Sequence, residues 1–193
     1  MRANPRRCST AALLVFVTAA ATAFGADATL VASCNHCHGQ NGISTAQDVP
    51  TIAGISVPVA VDALKSFKSK TRPCGEHGNM CDIAGRLSDA DITALAEQYS
   101  KLPYVHMKQP VDAAQAAAGK AIAQHQCEIC HTKGGTDPTD DAGLLGGQPL
   151  GWLKGAIADV KDGKMPQPKM MRAKTMQLSD SDAKALAEYY ASL

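Results

Sequence analysis

The stretches Cys34-Asn35-His36-Cys37-His38 and Cys127-Glu128-Ile129-Cys130-His131 each spell C-x-x-C-H. This spacing is typical of c-type haem attachment, because two thiols on the first turn of a helix can form thioethers to the two vinyl groups of one porphyrin. The histidine that follows then falls beneath the iron. A zinc knuckle or a thioredoxin-like C-x-x-C is the alternative, but two copies in two halves favour haem. The sequence therefore predicts two covalently bound haem c groups, attached through Cys34, Cys37, Cys127 and Cys130, with His38 and His131 as axial ligands.

The N-terminus has the features of a secretory signal peptide. Arg2, Arg6 and Arg7 precede a thirteen-residue apolar run from residue 11 to residue 23, and small residues follow. We expect residues 1–25 to be removed after export, with cleavage after Ala23 or Gly25, and Cys8 to be lost with them. The run is shorter than the ~20 residues of a membrane span. The sequence predicts a periplasmic protein without a membrane span.

Charge and cysteine content narrow the function further. Of the nineteen basic residues three belong to the leader, so sixteen remain against eighteen acidic ones. A slightly acidic chain without a clustered basic face argues against a nucleic-acid partner. Of the seven cysteines Cys8 is discarded and four belong to the haem motifs, so Cys74 and Cys81 remain as a pair in an oxidising compartment.

The chain consists of two copies of a unit of about ninety residues. Residues 87–102 align with residues 178–193, and ten of these sixteen positions are identical. The two haem motifs are offset by 93 residues. We predict an N-terminal domain over residues 26–104, a linker over 105–110 and a C-terminal domain over 111–193. Prolines bracket a connector over residues 103–110, which we expect to be extended.

Each repeated tail is predicted to be a helix. Ser88 and Ser179 are N-cap candidates, each with an aspartate three residues on, as in a capping box. Apolar residues recur at i, i+3, i+4 and i+7, so one face is buried. The stripes are Ile92, Leu95, Ala96, Tyr99 and Leu102, and Ala183, Leu186, Ala187, Tyr190 and Leu193.

Other segments are also predicted to be helical. They are residues 57–68, 112–126 with Asp112 as the cap, and 150–160. No alternating strand pattern is found, so the predicted fold class is all-α. Gly119 lies inside the second of these helices, where glycine costs ~1 kcal/mol relative to alanine. We expect the C-terminal helix to approach closely there, with Tyr190 over Gly119.

The sixth iron ligand separates an electron carrier from a catalyst. Between the first haem motif and its tail helix, Met80 is the one methionine, and Met107 lies beyond the helix. The second half offers Met165, Met170, Met171 and Met176. Met80 and Met171 each precede the repeated tail by seven residues, so they are the predicted axial ligands. The alternative is that these methionines fill gaps in the core. His36, His77, His106 and His125 are not repeated between the halves, which favours surface or structural roles.

The chain resembles tandem class I dihaem cytochromes c. It is similar to the cytochrome c4 type, and more closely to the dihaem subunit of flavocytochrome c sulfide dehydrogenase. The resemblance is carried by residues 34–42, 67–69 and 80–88 in the first half and by residues 127–135, 147–148 and 166–171 in the second.

The resemblance implies two cytochrome c domains related by pseudo-twofold symmetry, with the haems near each other. A flavoprotein subunit carrying FAD would oxidise sulfide, and this chain, as the non-catalytic haem subunit, would pass the electrons singly to a small acceptor such as a monohaem cytochrome c. A loop carbonyl would also accept a hydrogen bond from each axial histidine. Pro50 fits this role in the first half, and in the second the bond must come from Gly143 or be absent.

Cys74 and Cys81 depart from the repeat, because the second half lacks them. They bracket the loop that leads to Met80. The favoured interpretation is a disulfide that pins this loop, and the alternative is a copper or zinc site with His77.

Three functions remain open at this point. The chain is a haem subunit held on a flavoprotein, a free cytochrome c4-type shuttle between respiratory complexes, or a haem enzyme such as a peroxidase or a thiosulfate-oxidising cytochrome. The paired methionines argue against the enzyme, which needs an open or unusual axial position. The basic residues Lys154, Lys161, Lys164, Lys169, Arg172 and Lys174 cluster around the second ligand loop. They form a solvated face or a docking site for an acidic partner.

Overall fold

The computed structural model describes Met1, residues 25–74 and residues 79–193. Residues 2–24 of the expected signal peptide, including Cys8, lie outside the described residues, as does His77. All regular elements in the described ranges are helical, which confirms the all-α prediction.

Both halves contain the same succession of helices. The first half has α1 (Ala28–His38), α2 (Val57–Lys68), α3 (Asn79–Gly85) and α4 (Asp89–Ser100), with a 3-10 turn at Gln40–Gly42. The second half has α5 (Ala113–Gln126), the short α6 (Thr132–Gly135), α7 (Leu150–Lys161), α8 (Lys169–Thr175) and α9 (Asp180–Ala191), with a 3-10 turn at Pro138–Asp140. The connector over residues 103–110 contains no helix or strand.

The repeated tails begin as predicted. The side chains of Ser88 and Ser179 each accept a hydrogen bond from the backbone N–H three residues on, and the aspartate at that position accepts one from the backbone N–H of the serine. Asp112 caps α5 through the N–H groups of residues 114 and 115. These bonds satisfy donors that the first turn of a helix otherwise leaves unpaired, so the caps fix where the helices start.

Each half has its own hydrophobic core. Leu87, Ile92, Leu95 and Tyr99 form the first, and α9 supplies most of the second. Both predicted stripes are buried, except that their last leucines are only partly covered. α9 is buried on more sides than its pattern predicts, because α5 and α7 both pack on it.

The tight crossing of α5 and α9 explains Gly119. A Cβ at Gly119 would lie 2.0 Å from the Ala185 carbonyl oxygen and 2.9 Å from the Leu186 nitrogen. The predicted close approach is therefore present, but the expected partner, Tyr190, was wrong. The backbone of α9 one turn earlier fills this position.

The C-x-x-C-H motifs end helices instead of starting them, so the first-turn expectation was also wrong. Cys34 to His38 form the last turns of α1, and Cys127 is the C-cap of α5. Gly39 (φ 79°) ends α1, and the left-handed Lys133 and Gly134 turn the chain after the second motif. The two cysteines of each motif still lie one turn apart, so the C-x-x-C-H spacing still indicates haem attachment.

The two halves are joined by an interface with specific contacts. The Trp152 N–H donates to the Gln47 carbonyl at 2.9 Å. Arg72 stacks on Phe67 at 4.4 Å and points an Nη2 at the Met165 sulfur, 3.8 Å away. Arg72 and Met165 hold equivalent positions, 93 residues apart, and contact between equivalent residues is what a local twofold axis produces.

No helix in the described ranges combines the length and the apolar composition needed to cross a bilayer.

Candidate haem sites

The first site is built at the end of α1. His38 is only 8% exposed, Cys34 is half-buried and Cys37 is exposed. The His38 Nδ1–H donates to the Pro50 carbonyl at 2.8 Å, as the resemblance implied. A carbonyl only accepts hydrogen bonds, so Nδ1 carries the proton and Nε2 keeps its lone pair for a metal. Burial lowers the pKa of this imidazole, which the bond to Pro50 opposes.

The second site repeats this arrangement. His131 is 9% exposed, and its Nδ1–H donates to the Gly143 carbonyl at 3.0 Å. The bond that proline supplies in the first half is therefore supplied by glycine in the second. Burial again lowers the pKa of the histidine, opposed by the Gly143 bond and by Asp140. Cys127 is half-buried and Cys130 is exposed.

The loops that carry these carbonyls are folded back in the same way in both halves. The Gly42 carbonyl accepts from the N–H groups of Ile52 and Ala53, and the Gly135 carbonyl accepts from those of Leu145 and Gly146. Each loop then donates to the tail helix, from Gly54 to the Tyr99 carbonyl and from Gly147 to the Tyr190 carbonyl. The loop is thus anchored at both ends, which fixes the carbonyl that orients the histidine.

The tyrosines of the tail helices reach the attachment turns. The Tyr99 hydroxyl donates to the Asn35 side-chain oxygen at 2.9 Å, inside the first C-x-x-C. The Tyr190 hydroxyl is buried, forms no hydrogen bond with the described residues and lies beside the Cys127 thiol. Burial raises the pKa of both Tyr190 and Cys127. The sequence indicated only packing roles for these tyrosines.

The candidate sixth ligands lie on α3 and α8. Met80 and Met171 are both half-buried. Among the alternatives, Met170 and Met176 are 76% and 62% exposed. The Met165 sulfur faces Arg72, and the Met107 sulfur accepts from the Gln47 amide at 3.5 Å. These placements favour Met80 and Met171, whose ligand role stays a prediction.

An open cavity of about 390 Å³ lies between the first attachment turn and α3, with His36 and Cys37 on one side and Asn79, Asp82 and Ile83 on the other. It adjoins Cys37 and the helix that carries Met80, but His38, Cys34 and Met80 do not line it. The free thiols, the buried imidazole with a free Nε2 and the facing helix fit haem c. Zinc prefers four tetrahedral protein ligands, and the described residues contain no cluster of three or more metal-binding side chains.

The loops before Met80 and Met171 are fastened differently. Cys74 and Cys81 form a disulfide, which confirms that interpretation over the metal site. The position equivalent to Cys74 is Gln167, whose amide donates to the Val160 carbonyl at 2.8 Å and accepts from the Thr175 hydroxyl at 2.9 Å. In the second half, the hydrogen bonds of the Gln167 side chain therefore take the place of the disulfide.

The other histidines among the described residues are structural or at the surface. His106 packs against Gly147, and its Nδ1 lies 2.9 Å from the Leu193 carbonyl. His36 and His125 are exposed.

The basic cluster divides into paired and unpaired members. Lys154, Lys161 and Lys164 form ion pairs with Glu188 or with aspartates of their own surroundings. The cations of α8 form none with the described residues; they are Lys169, Arg172 and Lys174. They surround Met171, with the exposed Met170 and Met176 beside them.

Comparisons with known proteins agree with this geometry. Residues 114–189 match the family model described as cytochrome c oxidase, cbb3-type, subunit III. The chain is 29% identical over 172 residues to the thiosulfate dehydrogenase electron acceptor of Thiomonas intermedia, which covers 83% of this chain and 78% of that protein. It is 28% identical over 174 residues to cytochrome c4 of Azotobacter vinelandii, covering 82% of this chain and 83% of the relative. Cytochrome c-554(548) of Halomonas halodenitrificans is 32% identical over 70 residues, which are 36% of this chain and 84% of the relative.

Solved structures give the same picture. Reduced cytochrome c4 from Pseudomonas stutzeri superposes with a TM-score of 0.72 at 26% identity, covering 88% of this chain and all of that one. Cytochrome c4 of Acidithiobacillus ferrooxidans gives a TM-score of 0.71 at 25% identity, covering 84% of this chain and 99% of the other.

Proposed function

The chain belongs to the c-type cytochromes, as a cytochrome c4-like electron-transfer protein with two tandem class I domains and two covalent haem c groups, and from this premise we propose that it is a periplasmic carrier that takes up electrons singly from a dehydrogenase and passes them to a small acceptor. The observation that carries this proposal is the twofold occurrence of a buried histidine whose Nδ1–H is held by a loop carbonyl. We take residues 26–104 and 111–193 as the domains.

Cysteines attach each haem, and a histidine with a methionine provides its axial ligands. Cys34 and Cys37 attach the first haem, and Cys127 and Cys130 the second. The axial pairs are His38 with Met80 and His131 with Met171. A haem with both axial positions filled supplies one-electron chemistry without a change of ligands. The protein keeps the imidazoles fixed and buried, so little reorganisation accompanies each transfer.

The partner of this carrier is proposed to be a dehydrogenase for inorganic sulfur compounds. The Thiomonas relative is named as an electron acceptor for thiosulfate dehydrogenase, and the resemblance pointed to a flavoprotein that oxidises sulfide. A permanent subunit interface is expected to bury about 2,000 Å² or more of largely apolar surface. Besides Met1, the exposed large hydrophobic residues of the described chain are Val105, Ile129, Met170 and Met176. These few side chains favour reversible docking over a permanent complex with a flavoprotein.

The surface of α8 is the proposed docking face. Its three cations are unpaired within the described chain, and two exposed methionines lie among them. Burial raises the pKa of the Cys127 thiol, and the nearby positive charge of Lys174 opposes this shift, so α8 lies close to the second attachment motif. An acidic partner at this face would approach the second haem.

The function is tested on the purified holoprotein by counting haems and electrons. We expect two haems per polypeptide, two one-electron reduction steps and no carbon monoxide binding at neutral pH. Met80→Ala and Met171→Ala are each expected to remove half of the methionine-to-iron charge-transfer band and to open one haem to carbon monoxide. Carbon monoxide binding by the wild type would refute the carrier.

The partner is tested separately. Stopped-flow reduction by a purified thiosulfate dehydrogenase and by a flavoprotein sulfide dehydrogenase measures which donor is competent. Co-elution with the flavoprotein at micromolar concentration would favour the permanent-subunit alternative. Reduction by neither enzyme would refute the proposed class of partner.

A further inference from the structure

One peptide group in the first half connects the axial histidine to the other domain. The Pro50 carbonyl and the Thr51 N–H belong to the same peptide. The carbonyl accepts from His38 Nδ1 at 2.8 Å, and the N–H donates to the side-chain oxygen of Gln148 at 2.9 Å. Gln148 comes from the second half of the chain, 97 residues away.

The side-chain amide of Gln148 binds the backbone of Thr51 through both its oxygen and its nitrogen. Its Nε2 donates back to the Thr51 carbonyl at 2.9 Å, so both ends of the amide bind the backbone of one residue. Gln148 and Thr51 are each only 3% exposed, so water cannot replace these bonds. Gln109 holds the Gln148 backbone in turn, because its Nε2 donates to the Gln148 carbonyl at 2.8 Å.

We infer that Gln148 is a positioning residue for the first haem, acting from the second domain through the Pro50–Thr51 peptide on the electron-donating strength of His38. The inference rests on the proposed role of His38 as an iron ligand. Hydrogen bonds in a chain polarise one another. A Thr51 N–H that donates to Gln148 makes the Pro50 oxygen a stronger acceptor, and a stronger bond at Nδ1 raises the basicity of Nε2.

The second half has no equivalent device among the described residues. Gly143 orients His131, but the N–H of the same peptide, that of Leu144, forms no hydrogen bond with them. The residue at the position of Gln148 in the first half is Ile55, whose side chain cannot accept a hydrogen bond. The effect of Gln148 is therefore confined to the first haem.

The direction of the effect follows from the donor strength of histidine. A more basic Nε2 favours the ferric state, so loss of Gln148 favours reduction of the first haem. Loss of Gln148 would weaken the His38–Pro50 hydrogen bond and let the loop that carries Pro50 shift. We expect these two effects to change the equilibrium constant for electron exchange between the two haems by about two- to tenfold.

The test uses the intact dihaem protein and the variant Gln148→Met, which keeps the length of the side chain and removes the amide. Redox titration gives the two reduction steps, and hyperfine-shifted proton NMR assigns them to the haems. Gln47→Met is the matched control, because Gln47 lies at the same interface but its exposed side chain contacts the Met107 sulfur and leaves Thr51 and Gln148 untouched. Gln148→Glu is the rescue variant, since a neutral carboxyl presents the same acceptor and donor as the amide.

The expected result is a shift of the first haem towards easier reduction in Gln148→Met, with the second haem unchanged, the Gln47 control unchanged and the Glu variant close to wild type. Equal shifts of both haems, or no shift, would overturn the inference. If Gln148→Met does not fold, amide exchange at Thr51 decides in the wild type, where exchange as fast as that of exposed amides would contradict the buried bond. A wild type without two haems and two reduction steps would instead refute the proposed function.

Discussion

Replacing Gly119 by alanine tests the crossing of α5 and α9. The new Cβ would lie 2.0 Å from the Ala185 carbonyl oxygen and 2.4 Å from its carbon, and both atoms are backbone. Overpacking costs about 1–3 kcal/mol, and the upper end applies here because a helix backbone cannot rotate away. Alanine gains about 1 kcal/mol of helix propensity over glycine. The net loss is about 2 kcal/mol, or roughly 8–16 °C in the melting temperature of a domain of this size.

The matched control for this change is Gly155→Ala in α7. Gly155 is exposed, and its new Cβ would have no neighbour within 4 Å. Only the propensity gain applies there, so we expect stabilisation by about 0.5–1 kcal/mol. Thermal unfolding of both holoproteins is followed by far-UV circular dichroism. A Gly119→Ala protein that is as stable as Gly155→Ala would refute the close-crossing argument.

Three further predictions concern the disulfide, an N-cap and the docking face. Replacing Cys74 and Cys81 by alanine opens a loop of eight residues, which costs about 2.5 kcal/mol by the chain-entropy relation; we expect denaturant unfolding to show this loss and the methionine-to-iron band of the first haem alone to weaken. Ser179→Ala removes the cap of α9 and should cost about 1 kcal/mol at neutral pH. Hydrogen bonds from Ser179 lower the pKa of the Asp182 carboxyl from 3.8. The stabilisation by this cap is therefore present above pH 3.8 and is lost as the pH falls through the lowered pKa. The free energy of unfolding of the Ser179→Ala variant should consequently depend less on acid than that of the wild type. Lys174→Glu should slow oxidation by ferricyanide, a small anion, several-fold at low salt and little at high salt, whereas Lys108→Glu in the connector should have a much smaller effect.

The features that follow from local sequence were predicted correctly. Helix ends marked by Ser88, Ser179 and Asp112 are caps in the structure, because a cap depends only on the next three residues. The apolar stripes with i, i+3, i+4 spacing are buried as predicted, because residues at this spacing share one face of a helix. The pairing of Cys74 with Cys81 also follows from a short separation and from the lack of another free pair.

The features that depend on distant contacts were not predicted. Gln148 lies 97 residues from Thr51, and no periodicity indicates that its amide meets that backbone. The partner of Gly119 was misjudged because the register of two crossing helices is not encoded in either helix alone. Glu188 lies outside the apolar stripe of α9 but is only 7% exposed, bound to Lys154 and to the Asp112 N–H. Its equivalent in the first half, Glu97, is exposed because fewer elements cover α4.

Because the first half contains a disulfide, the cysteines that form it have to be distinguished from those that bind haem when the protein is assembled. The expected mature chain has six cysteines, of which Cys74 and Cys81 form the disulfide and the other four lie in the two attachment motifs. Cys74 and Cys81 are separated by 7 residues, so their loop closes with less entropy loss than a disulfide from either of them to Cys127 or Cys130. The two cysteines of each attachment motif are closer still in sequence, and a disulfide between them would leave no thiol to add to the vinyl groups of the haem. We therefore expect haem attachment to need a reductant that opens disulfides within the two attachment motifs and leaves the Cys74–Cys81 disulfide closed.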